Sequence, residues 1–351
     1  MEVQRRWLTI GALLLLAMIV LGGAVRLTES GLSITEWAPI LGTLPPLSQA
    51  DWDRAFALYR ESPQFRLVNS TMDLEGFRAI FWPEYLHRLL GRVIGVWFIV
   101  PLCWFAWRRM IDRRLFRGLA LLIALGALQG LVGWLMVKSG LSDQPRVSHL
   151  RLTAHLGMGL LLFGATLWLS LSLRFTAPLP PHGLRRQAAF TTVAAFVVIL
   201  SGGLVAGLRA GHAFPTFPLL AGAWIPDGLW SMSWESLLFS GLTVMFQHRL
   251  LGILMLLLAY AMAFRASRAP ISGEARWAAY AMALLATLQV GLGIATVLLH
   301  VPVLLGALHQ GNAALLLGAS LVLNRALRYA GPADRISPAP HRRALGLEAS
   351  A

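Results

Sequence analysis

Eight stretches of the 351-residue chain stay apolar for 18 residues or more, near 8–25, 85–107, 118–138, 152–173, 188–208, 243–265, 276–298 and 303–325. An α-helix needs roughly 20 such residues to cross about 30 Å of hydrocarbon, so each stretch is long enough to span a bilayer. Polar and charged residues collect between them, and the longest interval is 26–84. The pattern predicts an all-α integral membrane protein with eight transmembrane helices.

Composition supports this reading and excludes an ordinary water-soluble domain: 57% of residues are hydrophobic, 13% are charged and the mean hydropathy is +0.65. The first span follows Arg5 and Arg6 and could pass for a secretory signal, but a matching copy deeper in the chain marks it as retained. Alternate loops differ in basic residues. The N-terminal segment, 108–117, 174–187, 265–276 and the tail from Arg325 hold 18 Lys and Arg, against 9 in the longer opposite loops. Cytoplasmic loops are the enriched ones, so both termini are predicted to be cytoplasmic and 26–84 to lie outside. The formal net charge of +14 is then mostly cytoplasmic arginine beside anionic lipid, and no nucleic-acid partner is expected. The lone cysteine, Cys103, permits neither an internal disulfide nor a thiolate metal site.

The chain repeats itself. Residues 22–46 align without gaps to 202–226, with Gly22, Gly23, Val25, Gly31, Gly42 and Pro46 recurring as Gly202, Gly203, Val205, Gly211, Gly222 and Pro226. Leu128, Gln129, Gly133 and Val137 recur as Leu288, Gln289, Gly293 and Val297, and His155, Gly157 and Gly164 recur as His309, Gly311 and Gly318. Four spans per copy is an even number, so both copies start from the same side, related by an axis along the membrane normal. Two tandem pseudo-symmetric four-helix bundles are predicted, 1–180 and 181–328, followed by a tail, 329–351, whose Pro, Ala and Arg content predicts no stable structure.

Four of nine histidines fall inside the repeats, His87, His155, His248 and His309, all near the outer start of even-numbered spans. A small residue stands four positions after each, Gly91, Gly159, Gly252 and Ala313, where helical spacing leaves a gap beside the imidazole. A single intramembrane histidine reads most simply as a helix-to-helix hydrogen-bond partner. Four, paired by duplication on facing helices, point instead to ligand duty. Two opposed neutral imidazoles make a six-coordinate haem, whereas zinc would want more ligands than each half offers. His149, His212, His300, His182 and His341 are read as solvated surface residues.

The halves differ at one position. Glu84 precedes His87 by one turn, and its counterpart before His248 is Met245. A carboxylate at a haem rim can accept a proton, orient water or stabilise growing positive charge, and methionine can do none of these. The N-terminal half therefore reads as reactive and the C-terminal half as a fixed redox centre; the plainer reading of Glu84 is a carboxylate complementing a helix dipole. Arg88 and Arg249 follow their histidines in both halves and suit haem propionates or, alternatively, the membrane interface. Trp37, Trp52 and Trp82 suggest that 26–84 caps the first site, interface anchoring being the ordinary alternative.

The motifs EYLHR, FQHR, RLTAHLGMG and LGALHQGN, set in eight spans of two halves, resemble the haem A synthase family over the chain to about residue 325. The chain is similar to the mitochondrial and alphaproteobacterial type, which lacks the cysteine pair that other members carry in the first outer loop. The resemblance implies that haem O is the substrate, its C8 methyl group being oxidised in steps to the formyl group of haem A. It implies further that His248 and His309 ligate a haem b, that His87 and His155 flank the substrate haem and that Glu84 is the catalytic carboxylate. Expected partners are membrane lipid, a haem O synthase, the machinery of cytochrome oxidase assembly, an electron acceptor and a second copy of the chain. No Arg- and Ser-rich transit segment precedes the first span, which places the expected home in a bacterial cytoplasmic membrane. A di-haem b-type electron carrier would use the same histidines without Glu84, and a parallel-repeat transporter would place its polar residues nearer mid-membrane.

Overall fold

The computed structural model describes residues 1–36, 41–142, 145–229 and 233–331. Among these, eight helices are long and apolar enough to cross a membrane. They are α1 (Glu2–Leu27), α2 (Leu74–Trp107), α3 (Arg113–Gly140), α4 (His149–Arg174), α5 (Leu184–Gly207), α6 (Gly241–Arg268), α7 (Gly273–Leu298) and α8 (Val303–Ala326). All eight coincide with the apolar stretches of the sequence, and the chain is a multi-pass membrane protein.

Polar residues set many of the helix starts. Asp73, Asp112, Ser148, Ser240 and Ser272 each accept a backbone N–H of the first turn of α2, α3, α4, α6 and α7. Asp73 makes α2 longer than its apolar stretch, adding three turns before the membrane. This extension carries Phe77 and Phe81, which pack with Trp52, Tyr59 and Tyr85 into an aromatic cluster. Two short helices of the long loop, Gln49–Arg60 and Pro63–Leu67, complete that cluster and form a lobe at what is here termed the loop end of the bundle. Trp52 is buried in the lobe, Trp82 packs on its rim, and Trp37 lies outside the described residues.

Packing follows one pattern in each set of four. α1 touches α2 and α4, with α3 touching both of those; α5 touches α6 and α8, with α7 touching both of those. Between the sets, α1 meets α8, α4 meets α5, and α4 meets α8. At the loop end Glu29 pairs with Arg209, and Arg26 Nη2 donates to the Ala206 carbonyl at 2.7 Å. Residues 209 and 206 are the duplicates of 29 and 26. Contact between a position and its own duplicate is the relation that a two-fold axis imposes.

At the opposite end, the first residues of the segment expected to lack structure are held in place. Tyr329 and Ala330 pair antiparallel with Pro178 and Ala177. Arg325, buried, donates to the Phe175 carbonyl at 2.6 Å and stacks 3.6 Å from the Tyr329 ring. Residues 332–351, with His341, lie outside the described residues. Arg325→Leu should strand the Phe175 carbonyl and cost about 1–3 kcal/mol. Thermal unfolding in detergent reads this, and an unchanged midpoint would remove the clasp.

Candidate haem-ligand sites

His155, His248 and His309 sit about two turns into α4, α6 and α8, whereas the outward extension of α2 puts His87 about four turns from its start. Each imidazole rests on a glycine of the neighbouring odd-numbered helix. A Cβ built on Gly22 would stand 2.9 Å from His87 Cε1, on Gly133 2.8 Å from His155 Cε1, on Gly202 3.1 Å from His248 Cε1 and on Gly293 2.9 Å from His309 Cε1. No real Cβ tolerates the shortest of these contacts, so glycine fixes how each ring tilts. The residues four positions on behave less uniformly. Gly91 and Gly159 line the cavity described below, Gly252 faces open space, and Ala313 is buried in the main core. The signal for the supporting glycines lay in the repeat itself, because Gly22 with Gly202 and Gly133 with Gly293 are among its recurring pairs. Gly293→Ala should tilt His309 and lower retention of a ligated haem several-fold, the overpacking costing about 1–3 kcal/mol; normal haem content in the purified variant would contradict the contact.

In the second set the two rings stand nearly perpendicular, at 76°, with centroids 6.3 Å apart. Metal–imidazole bonds are about 2 Å long, so two rings on either side of one ion have centroids about 6 Å apart. The pair therefore fits a bis-histidine iron. Ser201 Oγ lies 2.8 Å from His248 Nδ1, which fixes that nitrogen and leaves Nε2 to ligate. Gln289 Nε2 lies 3.1 Å from His309 Nε2 and 3.2 Å from Nδ1, and Asn312 Nδ2 donates to Gln289 Oε1 at 2.7 Å.

The first set lacks these supports. Leu21 and Met158 stand where Ser201 and Asn312 would be, and the duplicate of Gln289, Gln129, donates instead to the His155 carbonyl at 3.1 Å. His87 Nδ1 and His155 Nδ1 are buried without a hydrogen-bond partner. Both rings line a cavity of about 640 Å³ between α1, α2, α3 and α4, with Gly203 and Gly207 of α5 and Gln310 of α8 also on its wall. That is the size of a small-molecule site, and its walls are mostly apolar. Gly95, Gly126 and Gly130 leave open space in it where side chains would stand. Orphaned ring nitrogens beside a cradle of this size fit a flat macrocycle bound through its iron.

Glu84 lines the same cavity and is almost wholly buried, at 3% exposure. Its carboxylate accepts from Ser33 Oγ at 2.6 Å, from the Ile34 N–H at 2.8 Å and from Arg88 Nε and Nη2 at 3.0 and 2.5 Å. Arg88 also donates to the carbonyls of Ile34 and Glu36. Pro83, just before Glu84, cannot donate within the helix, which loosens α2 where the loop docks. Arg249 makes the matching contacts, donating to the carbonyls of Thr216 and Leu219. Both arginines, read as suited to propionates or to the membrane interface, donate to loop carbonyls. Met245 is buried against Ala210 and Leu220, so an apolar plug stands where the first half has its acid.

Two histidines read as solvated, His149 and His182, are half-buried. His149 has its ring packed edge-on against Phe239 at 4.9 Å and its Nε2 without a partner, because the first turn of α4 presses on Gly207. His212 and His300 are exposed, and His182 Nδ1 accepts the Leu184 N–H.

The fold and the site thus define a polytopic helical membrane protein with two pairs of intramembrane histidines, His248 and His309 close together and His87 and His155 on the wall of one cavity. The family model described as cytochrome oxidase assembly protein, COX15-CtaA, matches residues 5–321, and the chain belongs to that family. Among its relatives, the heme A synthase of Nitrosospira multiformis is 45% identical over 329 residues, 92% of each chain. The heme A synthase of Parvibaculum lavamentivorans is 44% identical over 320 residues, 90% of this chain and 91% of its own. That of Rhodopseudomonas palustris strain BisA53 is 47% identical over 319 residues, 89% and 87% respectively.

Proposed function

We propose that this chain is a haem A synthase, an oxidoreductase that converts the C8 methyl group of haem O into the formyl group of haem A for cytochrome oxidase assembly. The observation that carries the reading is the inequality of the two histidine pairs. One is braced by Ser201, Gln289 and Asn312 and sealed by Met245, as a permanent cofactor site should be. The other borders a cavity, has free ring nitrogens and has a buried acid at its rim, as a site of exchange and chemistry should.

The half 1–180 takes the substrate haem between His87 and His155, and the half 181–328 takes haem b between His248 and His309. Haem b, when bound, supplies a one-electron relay towards an acceptor. Methyl oxidation releases protons, and Glu84 is the carboxylate at the cavity wall that can take them or stabilise positive charge on the reacting carbon. Its ion pair with Arg88 couples that step to the loop, since Ser33, Ile34 and Glu36 hang on the same two side chains. Glu29, Gly31 and Leu32 after α1, with Gln64 of the lobe, shut the cavity at the loop end. With basic residues concentrated at the other end, the loop end faces outward from a bacterial cytoplasmic membrane and both termini lie in the cytoplasm.

Pigment extraction tests this. Protein purified from cells that make haem O should yield haem b together with haem O or haem A, and protein from cells without haem O should yield haem b alone. Haem b as the sole pigment in both would leave an electron carrier.

A further inference from the structure

The cavity is deeper than the histidines need. From His155 it continues along α4 to Thr166, about 16 Å at 1.5 Å per residue, past Ile94 and Phe98 on α2 and Leu122 on α3. This lower part is apolar except for the Thr166 hydroxyl, and it opens sideways. α2 and α3 pack on each other least closely of the consecutive spans, and Ile99 on one side with Gly126, Ala127 and Gly130 on the other both line the cavity and reach the lipid-facing surface.

The second half closes the same seam. By the repeat, Gly95 becomes Leu256, Gly126 becomes Ala286 and Gly130 becomes Val290. Ile99 and Ala127 become Tyr260 and Thr287, whose hydroxyls are hydrogen-bonded at 2.9 Å, tying α6 to α7. The first half has glycine and open space at three of these positions, where the second has bulk, and lacks the polar stitch at the other two.

We propose that the α2–α3 seam is the groove and lateral doorway for the isoprenoid tail of the substrate. Haem O carries a long hydrocarbon chain that haem b lacks, and the groove continues directly from the space flanked by His87 and His155. The chain lies along Ile94, Phe98, Leu122 and Thr166, its burial supplying affinity in proportion to area removed from water. The gap at Gly126 and Gly130 lets a lipid-borne molecule slide in without crossing the loop lobe. A closed seam in the second half suits a tailless haem b. The inference rests on the substrate reading above and adds the site of the tail.

Spectral titration of the purified full-length protein in nanodiscs, with haem O and with haem b, separates the two ideas. The unaltered protein should bind haem O at least roughly tenfold more tightly, the effect of burying about two methylenes. Copying the second half's stitch with Ile99→Tyr and Ala127→Thr together should abolish that preference, and Gly130→Val alone should reduce it. The spectrum of the haem held by His248 and His309 reports that each variant is folded. Wild-type haem O preference in both variants overturns the groove and leaves the substrate reading standing. Equal affinity for the two haems in the unaltered protein, the result if phospholipid chains alone fill the seam, also overturns it. Failure of the unaltered protein to take up haem O would remove both.

Discussion

Glu84→Gln is expected to lower haem A formation by roughly 10²- to 10⁴-fold, the usual contribution of a positioned proton acceptor. Haem content should not change. Glutamine keeps the length and most of the shape of the side chain, so Ser33 and the Ile34 N–H can still donate to one oxygen. It cannot accept a proton, and its amide faces the Arg88 guanidinium with no charge to offer. Alanine is the poorer test, because it would release the loop and leave Arg88 with no carboxylate in a half-buried site, where removal of one partner is far more damaging than the pair is stabilising. Ser33→Ala separates the two roles: it slackens the loop and retains the acid, so conversion should fall much less than in Glu84→Gln. Accumulation of haem A at the normal rate in Glu84→Gln would return Glu84 to a purely structural task. Assay of haem A and haem O by chromatography of extracted pigment reads both variants.

The other large effect belongs to His309. His309→Ala should remove the six-coordinate low-spin haem of the second half and take haem A formation to background. Its partner His248 is 6.3 Å away, ring to ring, and cannot make the second bond alone. The loss also leaves Gln289 and Asn312 braced against nothing. Reduced-minus-oxidised spectra of the purified variant measure the haem directly. His300→Ala, at an exposed position close by in the chain, is the control and should retain the spectrum. A normal low-spin spectrum in His309→Ala would mean that the iron is held elsewhere.

Much of this was legible because the physics involved is periodic. A membrane forces long apolar runs, and duplication makes equivalent residues recur, so the eight spans, the four histidines and the substitution of Met245 for Glu84 stand out without coordinates. Contacts between non-equivalent elements were less accessible. The i+4 rule pointed to small residues on the histidine's own helix, but the residues that set the rings are Gly22, Gly133, Gly202 and Gly293 on neighbouring helices, and helical periodicity does not report which faces meet. The lobe was recognisable as a long polar interval with tryptophans. Its frame, an extension of α2 through Phe77 and Phe81, was hidden because those residues fall outside a run apolar enough to mark a span. Arg88 illustrates a different limit: a guanidinium suits propionate and peptide carbonyl equally well, so its contacts with the Ile34 and Glu36 carbonyls are not legible in the sequence. His149 was misread because nothing in its immediate sequence announces that Gly207 and Phe239 cover it.

The strongest test is site-resolved pigment analysis of a double variant, His87→Ala with His155→Ala, produced in cells that supply haem O. If the first pair of imidazoles is where substrate sits, the purified variant contains haem b with an unaltered low-spin spectrum and neither haem O nor haem A. Haem O recovered at the level of the unaltered protein would show that the substrate is bound somewhere else.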